Sequence, residues 1–237
     1  MISTYKRSMY MKDHKHNINY FKRGDSLKSA GLGMAVVGLI LLWMGWGYLS
    51  YILTCILLPT GLVLFFVGST ARSSDEDIDT DIKRLTEGLE VHLEDDRRYA
   101  KRVLSHMEPQ VCEGYEYREG LMFTKARDGS VRSSEYTKAI IYMLSDGLYI
   151  VSRSFSLVSD EKRNSEVEIP YADISSVRIV RERASVAFGK KKFNARHARM
   201  VIEYGEGQVF SAPIHDDVNS DKRVETVSGL CKTSQNI

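Results

Sequence analysis

Apolar and charged positions fall into three blocks of different period along this chain. From Ser29 to Ala71 no charged side chain occurs over 43 residues. One helix of that length would measure ~65 Å, about twice the hydrocarbon core of a bilayer. Two spans of ~20 residues each fit if the chain reverses near the midpoint. The midpoint reads Trp43-Met44-Gly45-Trp46-Gly47-Tyr48-Leu49-Ser50-Tyr51. Tryptophan and tyrosine suit headgroup depth, since an apolar ring meets lipid while N–H or O–H reaches water. The pattern therefore predicts a transmembrane helical hairpin over residues 29–71, roughly Ser29–Gly47 followed by Leu49–Thr70. A cleaved signal peptide has a single short apolar segment, and the second apolar stretch argues against one.

Within this block Gly31, Gly38 and Gly45 recur every seven residues, as do Thr54, Gly61 and Gly68. That period holds small residues on one face, where two helices can approach closely in lipid. The competing explanation is that glycine is common in membrane helices. Pro59 is expected to kink the second helix.

The second block, residues 72–109, is charged with an apolar stripe. Ser74 and Asp77 form a capping-box pattern, and Ile78, Ile82, Leu85 and Leu89 follow at helical spacing. His92, Asp96 and Tyr99 continue the register, so the stripe covers under two clean heptads. It reads as an amphipathic linker helix packed on the domain that follows, or as a self-associating stalk that makes a homo-oligomer.

The third block, residues 110–237, changes to period two. Ala198, Met200, Ile202 and Tyr204 alternate with Arg199, Val201 and Glu203. Similar strands are expected at Tyr115–Lys125, Ser134–Met143, Gly147–Ser154, Glu166–Pro170, Ser175–Arg183 and Gln208–Ala212. Turn residues at Asp128-Gly129, Asp146-Gly147 and Gly205-Glu206-Gly207 connect them. Val224, Val227 and Cys231 lie on one side of a last helix, capped by Asn219 or Ser220. The whole is an α+β membrane protein: a seven-stranded antiparallel domain closed by a C-terminal helix and preceded by the hairpin.

Two stretches of this domain, "YMLSDGLYIVSRS" and "VEIPYADISSVRIVRE", resemble the bacterial and archaeal PH-like, GRAM-type domains that are often joined to transmembrane segments. Ile169, Pro170, Tyr171, Asp173 and Ile174 carry the second element of that resemblance. It covers roughly Tyr142–Glu182 and implies a PH-like barrel used for binding; it assigns no activity. Tyr171 and Ile174 are expected to pack into the barrel mouth, and Asp173 to cap a tight turn.

Charge sharpens the layout. Residues 1–28 carry seven basic against two acidic side chains, and the remainder of the chain is net −3. Flanking positive charge marks the cytoplasmic side, so two spans in a cell membrane place both termini in the cytoplasm. The basic arm, with Tyr5, Tyr10, Tyr20 and Phe21, suits an anionic lipid surface or forms a disordered tail. Cys55, Cys112 and Cys231 give neither a disulfide framework nor zinc spacing, and the six histidines show no metal-ligand spacing. No phosphate-binding loop, nucleophile elbow or zinc-protease sequence occurs, so the chain reads as non-catalytic, without cofactor or metal.

One basic cluster stands out, "FGKKKFNARHAR", with Lys190, Lys191, Lys192, Arg196 and Arg199. It can hold anionic headgroups or an acidic protein partner, or it is simply a polar turn that protects strand edges. Lys125, Arg127 and Arg132 form a weaker candidate on the first hairpin. Residues 110–237 carry 19 basic and 18 acidic side chains, which argues against nucleic acid. Two functions follow from one architecture. The first is a membrane-anchored module that binds lipid or protein. The alternative is a signal-gated effector whose β domain binds a small ligand and whose hairpins oligomerise to permeabilise the bilayer; a roomy polar pocket would favour it.

Overall fold

The computed structural model describes residues 14–22, 25–45, 47–70, 73–90, 93, 96–104, 106–188, 191–216 and 218–234. The chain divides into two compact units, Met1–Ile78 and Asp79–Ile237.

The first unit holds helix α1 (residues 14–21), α2 (Asp25–Met44), α3 (Tyr48–Thr70) and the start of α4 (Asp75–Thr86). Helices α2 and α3 lie antiparallel, with Gly38 against Leu58, Gly31 against Gly61 and Lys28 against Gly68. A Cβ on Gly31 would stand 2.5 Å from the Phe65 nitrogen, and one on Gly61 would stand 2.6 Å from that of Ala35. Backbones this close leave no room for a side chain, which is how small residues hold helices together. Gly45 plays a different part from the other four glycines of the expected stripe. Its φ is +59° with open space around it, and with Gly47 at +81° it lets the chain reverse. Thr54 Oγ1 donates to the carbonyls of Ser50 and Gly38, at 2.8 and 3.2 Å, so its hydroxyl is satisfied inside the helix pair. Helix α3 continues through Pro59.

Large apolar side chains on both helices face outward. Trp43 is 89% exposed, Tyr48 83% and Leu49 72%. Among the described residues one helix, Tyr48–Gly68, is long and apolar enough to cross a membrane; the apolar part of α2, Lys28–Met44, is shorter. The two ~20-residue spans expected from sequence thus reduce to one of that length.

Residues 14–21 depart from the expected surface-bound or disordered arm. They form α1, in which Tyr20 and Phe21 are buried. Tyr20 Oη donates to Asp75 Oδ1 at 2.6 Å and Ser73 Oγ donates to Asn17 Oδ1 at 2.9 Å, and these bonds hold α1 to the start of α4.

Helix α4 opens on a reciprocal cap. The Ser74 N–H and hydroxyl donate to Asp77 Oδ2, and the Asp77 N–H donates to Ser74 Oγ. It ends much sooner than residue 109. Thr86 Oγ1 bonds back to the carbonyls of Ile82 and Lys83, and Gly88 turns the chain at φ +69°. Leu89, Leu93 and Tyr99 then pack on Ile140, Tyr142, Tyr149 and Val151. Burial on one sheet face ends the helix here, where the periodicity alone would have extended it.

The second unit is an antiparallel β domain with nine strands among the described residues: β1 (Gln110–Tyr115), β2 (Phe123–Lys125), β3 (Val131–Ser133), β4 (Glu135–Met143), β5 (Gly147–Ser156), β6 (Lys162–Pro170), β7 (Ile174–Phe188), β8 (Lys191–Tyr204) and β9 (Gln208–Ile214). They form three sheets, β1-β4-β5-β6, β2-β3 and β7-β8-β9. The single strand expected over Tyr115–Lys125 is two strands, because the chain leaves the sheet after Tyr115 and turns at Gly120, φ +86°. The barrel is also not closed: β1 and β9 are neighbours without a shared hydrogen-bond ladder.

Between the two larger sheets lies the main core, which includes Ile141, Leu148, Ile150, Ile169, Met200 and Ile202. Helix α5 (Val218–Ser234) adds Val227 and Cys231 to it. Tyr171 and Ile174 join the same core, and Tyr171 Oη donates to the Leu144 carbonyl at 3.0 Å. The Asp146-Gly147 turn is glycine-specific, since a Cβ on Gly147 would stand 2.5 Å from the Ile169 carbonyl.

Candidate functional site

Strand β8 spreads the predicted basic cluster instead of gathering it. Lys190 falls outside the described residues, and Lys191 opens β8 opposite Phe188. Lys192 is exposed at that end of the hairpin, and Arg196 is exposed further along. Arg199 lies seven residues from Lys192, or ~23 Å along an extended strand, and opposite parity turns it to the other face. It is engaged there: Nη1 donates to Glu116 Oε2, and Nε to Ser211 Oγ at 2.8 Å. The weaker cluster divides as well. Lys125 and Arg127 are exposed, whereas Arg132 is buried, holds Asp79 with two hydrogen bonds of 2.7 and 3.2 Å, and lies over the Tyr115 ring.

The inward faces of three adjacent strands converge on a different site. On β4 the core residues Met143, Ile141 and Ala139 give way to Thr137 and Glu135 at the same parity. On β5, Leu148 and Ile150 give way to Ser152 and Ser154; on β6, Ile169 and Val167 give way to Ser165 and Arg163. Pairing aligns these changes, with Thr137 opposite Ser154 and Ser152 opposite Ser165. The apolar interior therefore becomes a polar cleft at one end, with a volume of about 350 Å³.

Glu135 is the buried centre of that cleft, with only 8% of its side chain exposed. Arg118 donates to its Oε2 at 2.8 Å from Nε, and Arg163 to its Oε1 at 3.0 Å. Arg199 and Glu116 form the second ion pair of the wall, and the hydroxyls of Thr137 and Ser154 meet at 2.8 Å. Three arginines face two glutamates, which leaves one positive charge in excess. Arg118 and Arg163 keep 56% and 72% of their side chains exposed. A guanidinium has five N–H groups, and a single carboxylate does not exhaust two of them. The cleft can therefore offer charge-assisted donors and hydroxyls to an anion.

A second cleft, of about 540 Å³, lies beside Arg132 and is lined partly by Tyr115, Tyr117 and His197. Burial pushes the Tyr117 hydroxyl up to about 12 and raises that of Tyr115 as well. The His197 ring stacks on Tyr117 with centroids 5.0 Å apart, and its Nε2 is 3.4 Å from Glu182 Oε2.

Of the residues singled out from sequence, only Arg199 lines the first cleft; Arg132 and Arg196 line the second. Arg118, Arg163, Glu135 and the hydroxyls were missed. Their signal was present as alternation, serine at every second position after Leu148 and Ile150, but only strand register shows that the serines meet. Among the described residues no group of three His, Cys, Asp or Glu side chains could hold a metal ion. Comparison with protein-family models, curated proteins and solved structures returned no match.

Proposed function

We propose that this chain is a non-catalytic, membrane-anchored binding module whose cytoplasmic β domain, PH-like in layout, takes anionic lipid headgroups in the arginine–hydroxyl cleft. The observation that carries the reading is the polar end of the inter-sheet interior. Burying Glu135 and a set of hydroxyls where a sandwich core would continue costs stability unless they are hydrogen-bonded, and the arginines that hold Glu135 retain exposed N–H groups. Anchoring is supported by the outward apolar faces of α2 and α3, which suit lipid better than water. A transmembrane hairpin with both termini cytoplasmic follows from the basic arm and the uncharged reversal between the helices.

The test uses the full-length protein in detergent and its capture on vesicles with and without an anionic lipid. Wild type should bind the anionic vesicles, and R118Q/R163Q should lose at least five-fold of that capture. The K190E/K191E/K192E variant separates a headgroup role of the lysine loop from that of the cleft. Equal capture of wild type and R118Q/R163Q rejects the cleft, and termini found on opposite membrane faces reject the anchor.

The same cleft is the observation that favours the second reading, a signal-gated effector. A small anion in place of a headgroup would make the apolar helices respond to ligand by oligomerising. Dye leakage from liposomes that follows a soluble anion, with no dependence on lipid charge, would select that reading over the first.

A further inference from the structure

The arginine–hydroxyl cleft holds more hydrogen-bonding capacity than a bare negative charge would use. Ser152 and Ser165 stand opposite each other in the β5–β6 ladder and both line the cleft. Ser152 is half-buried and Ser165 exposed, and neither hydroxyl has a hydrogen-bond partner among the described residues. Thr137 and Ser154 bond to each other, which leaves one O–H between them free to donate. Glu116 gives Oε2 to Arg199, while its Oε1 accepts nothing from a described residue and is not closed off from solvent. The wall therefore interleaves donors and acceptors, with guanidinium, hydroxyl and carboxylate side by side.

Charge defines the first property of an occupant. A phosphodiester carries one negative charge at neutral pH, whereas a phosphomonoester approaches two, its second pKa being ~6. Three arginines against two glutamates leave one positive charge in the cleft. A diester matches that excess, and a monoester or polyphosphate leaves negative charge uncompensated in a partly desolvated site. The uncharged groups define the second property. Serine hydroxyls donate and accept and Glu116 Oε1 only accepts, so an alcohol meets each of them. An ammonium would also satisfy Glu116, but it would stand beside the Arg199 guanidinium that already holds that carboxylate, and like charges repel. A volume of about 350 Å³ is at the small end for ligand sites and suits one headgroup.

We infer that the cleft selects a monoanionic phosphodiester with free neighbouring hydroxyls, of the kind a glycerol headgroup presents, in preference to diesters that carry an amino acid or no hydroxyl. Arg118 and Arg163 hold the phosphate through N–H groups that Glu135 does not use. The Ser152 and Ser165 hydroxyls and Glu116 Oε1 take the polyol. The arginines supply the affinity shared by all anions, and the hydroxyls supply the choice among them, because a ligand without alcohol groups leaves wall atoms desolvated and unpaired. Specificity of this kind rests on the anionic-headgroup reading of the same cleft.

The experiment uses full-length protein in detergent and its capture on phosphatidylcholine vesicles with equal mole fractions of phosphatidylglycerol, phosphatidylserine or phosphatidylmethanol. Each of these lipids adds one negative charge, so surface potential is the same and only headgroup chemistry differs. Wild type should be captured on phosphatidylglycerol at least about five-fold more tightly than on the other two. S152A/S165A should lose that preference and keep wild-type capture on phosphatidylserine, which reports an intact fold. In ligand-observed phosphorus NMR, glycerophosphoglycerol should bind wild type and dimethyl phosphate should not. Glycerophosphoglycerol binding without a preference among vesicles assigns the same chemistry to a free diester. Equal capture on all vesicles without such binding overturns this inference, as does a preference that S152A/S165A retains. The anionic-headgroup reading survives either result if R118Q/R163Q lowers capture on every anionic vesicle, and falls with it if that variant changes nothing.

Discussion

Replacing Gly61 by alanine adds one methyl group at the point where α2 and α3 come closest. The new Cβ would stand 2.6 Å from the Ala35 nitrogen, 2.7 Å from the Gly31 carbonyl oxygen and 3.1 Å from the Ala35 Cα. All three are backbone atoms, so no flexible side chain can yield. Restoring ordinary contact requires the helices to part by roughly 0.8 Å, which forfeits dispersion along the whole crossing. Overpacking of this kind costs ~1–3 kcal/mol. Gly33 supplies a matched control, because a Cβ there meets nothing within 4 Å. Alanine at that position should be neutral or stabilising by up to ~1 kcal/mol, through helix propensity. Thermal unfolding of the full-length protein in one detergent, followed by far-ultraviolet circular dichroism, should therefore lower the midpoint of G61A and leave that of G33A unchanged or raised. Equal midpoints for the two variants would refute the close crossing as the source of cohesion between these helices.

Three further outcomes are expected. Ile141→Ala empties a fully buried position between the two larger sheets and should cost ~2–5 kcal/mol in denaturant unfolding; a loss under ~1 kcal/mol would contradict the core assignment. Burial pushes the Cys112 thiol up to about 12, so iodoacetamide at pH 8 should reach it only as fast as the domain unfolds, and prompt labelling would show an open core. The Ser74 N–H and hydroxyl hold the Asp77 carboxyl below its ordinary range. Because the folded value is depressed, this stabilisation is complete above the ordinary carboxylate range and is lost as pH falls through the lowered value. Ser74→Ala should speed amide exchange in the first turn of α4 at pH 7 by a factor equivalent to ~1 kcal/mol, with the difference from wild type shrinking in strong acid to the part carried by the Asp77 N–H bond to Ser74 Oγ, which does not titrate; a difference of the same size at both pH values would exclude the carboxylate's share of the cap.

Local pattern alone determined several features of this protein. The uncharged run with glycines at its centre specified two apolar helices and the reversal at Gly45 and Gly47, since only glycine takes those positive φ values without strain. Ser74 and Asp77 specified the start of α4, because a capping box closes within four residues. Period-two alternation specified β4, β5 and the second half of β8, Ala198–Tyr204, and period 3.6 placed Val227 and Cys231 on the buried side of α5.

The features that tertiary structure decided are those in which distant segments compete for one surface. Leu89 continues the helical stripe of Ile78, Ile82 and Leu85, yet it lies past the end of α4 because the outer face of the four-stranded sheet buries it. Tyr20 and Phe21 read as interfacial aromatics until Asp75, 55 residues away from Tyr20, received the tyrosine hydroxyl. Adjacent positive charges in "KKKFNARHAR" suggested a cluster, but among the described side chains an extended strand separates Lys192, Arg196 and Arg199 and turns Arg199 to the face opposite the other two. Glu135 and Arg163 came within reach across β5 because strand register, not spacing in sequence, brings one end of β4 and β6 together, and Arg118 joins them from the loop after β1.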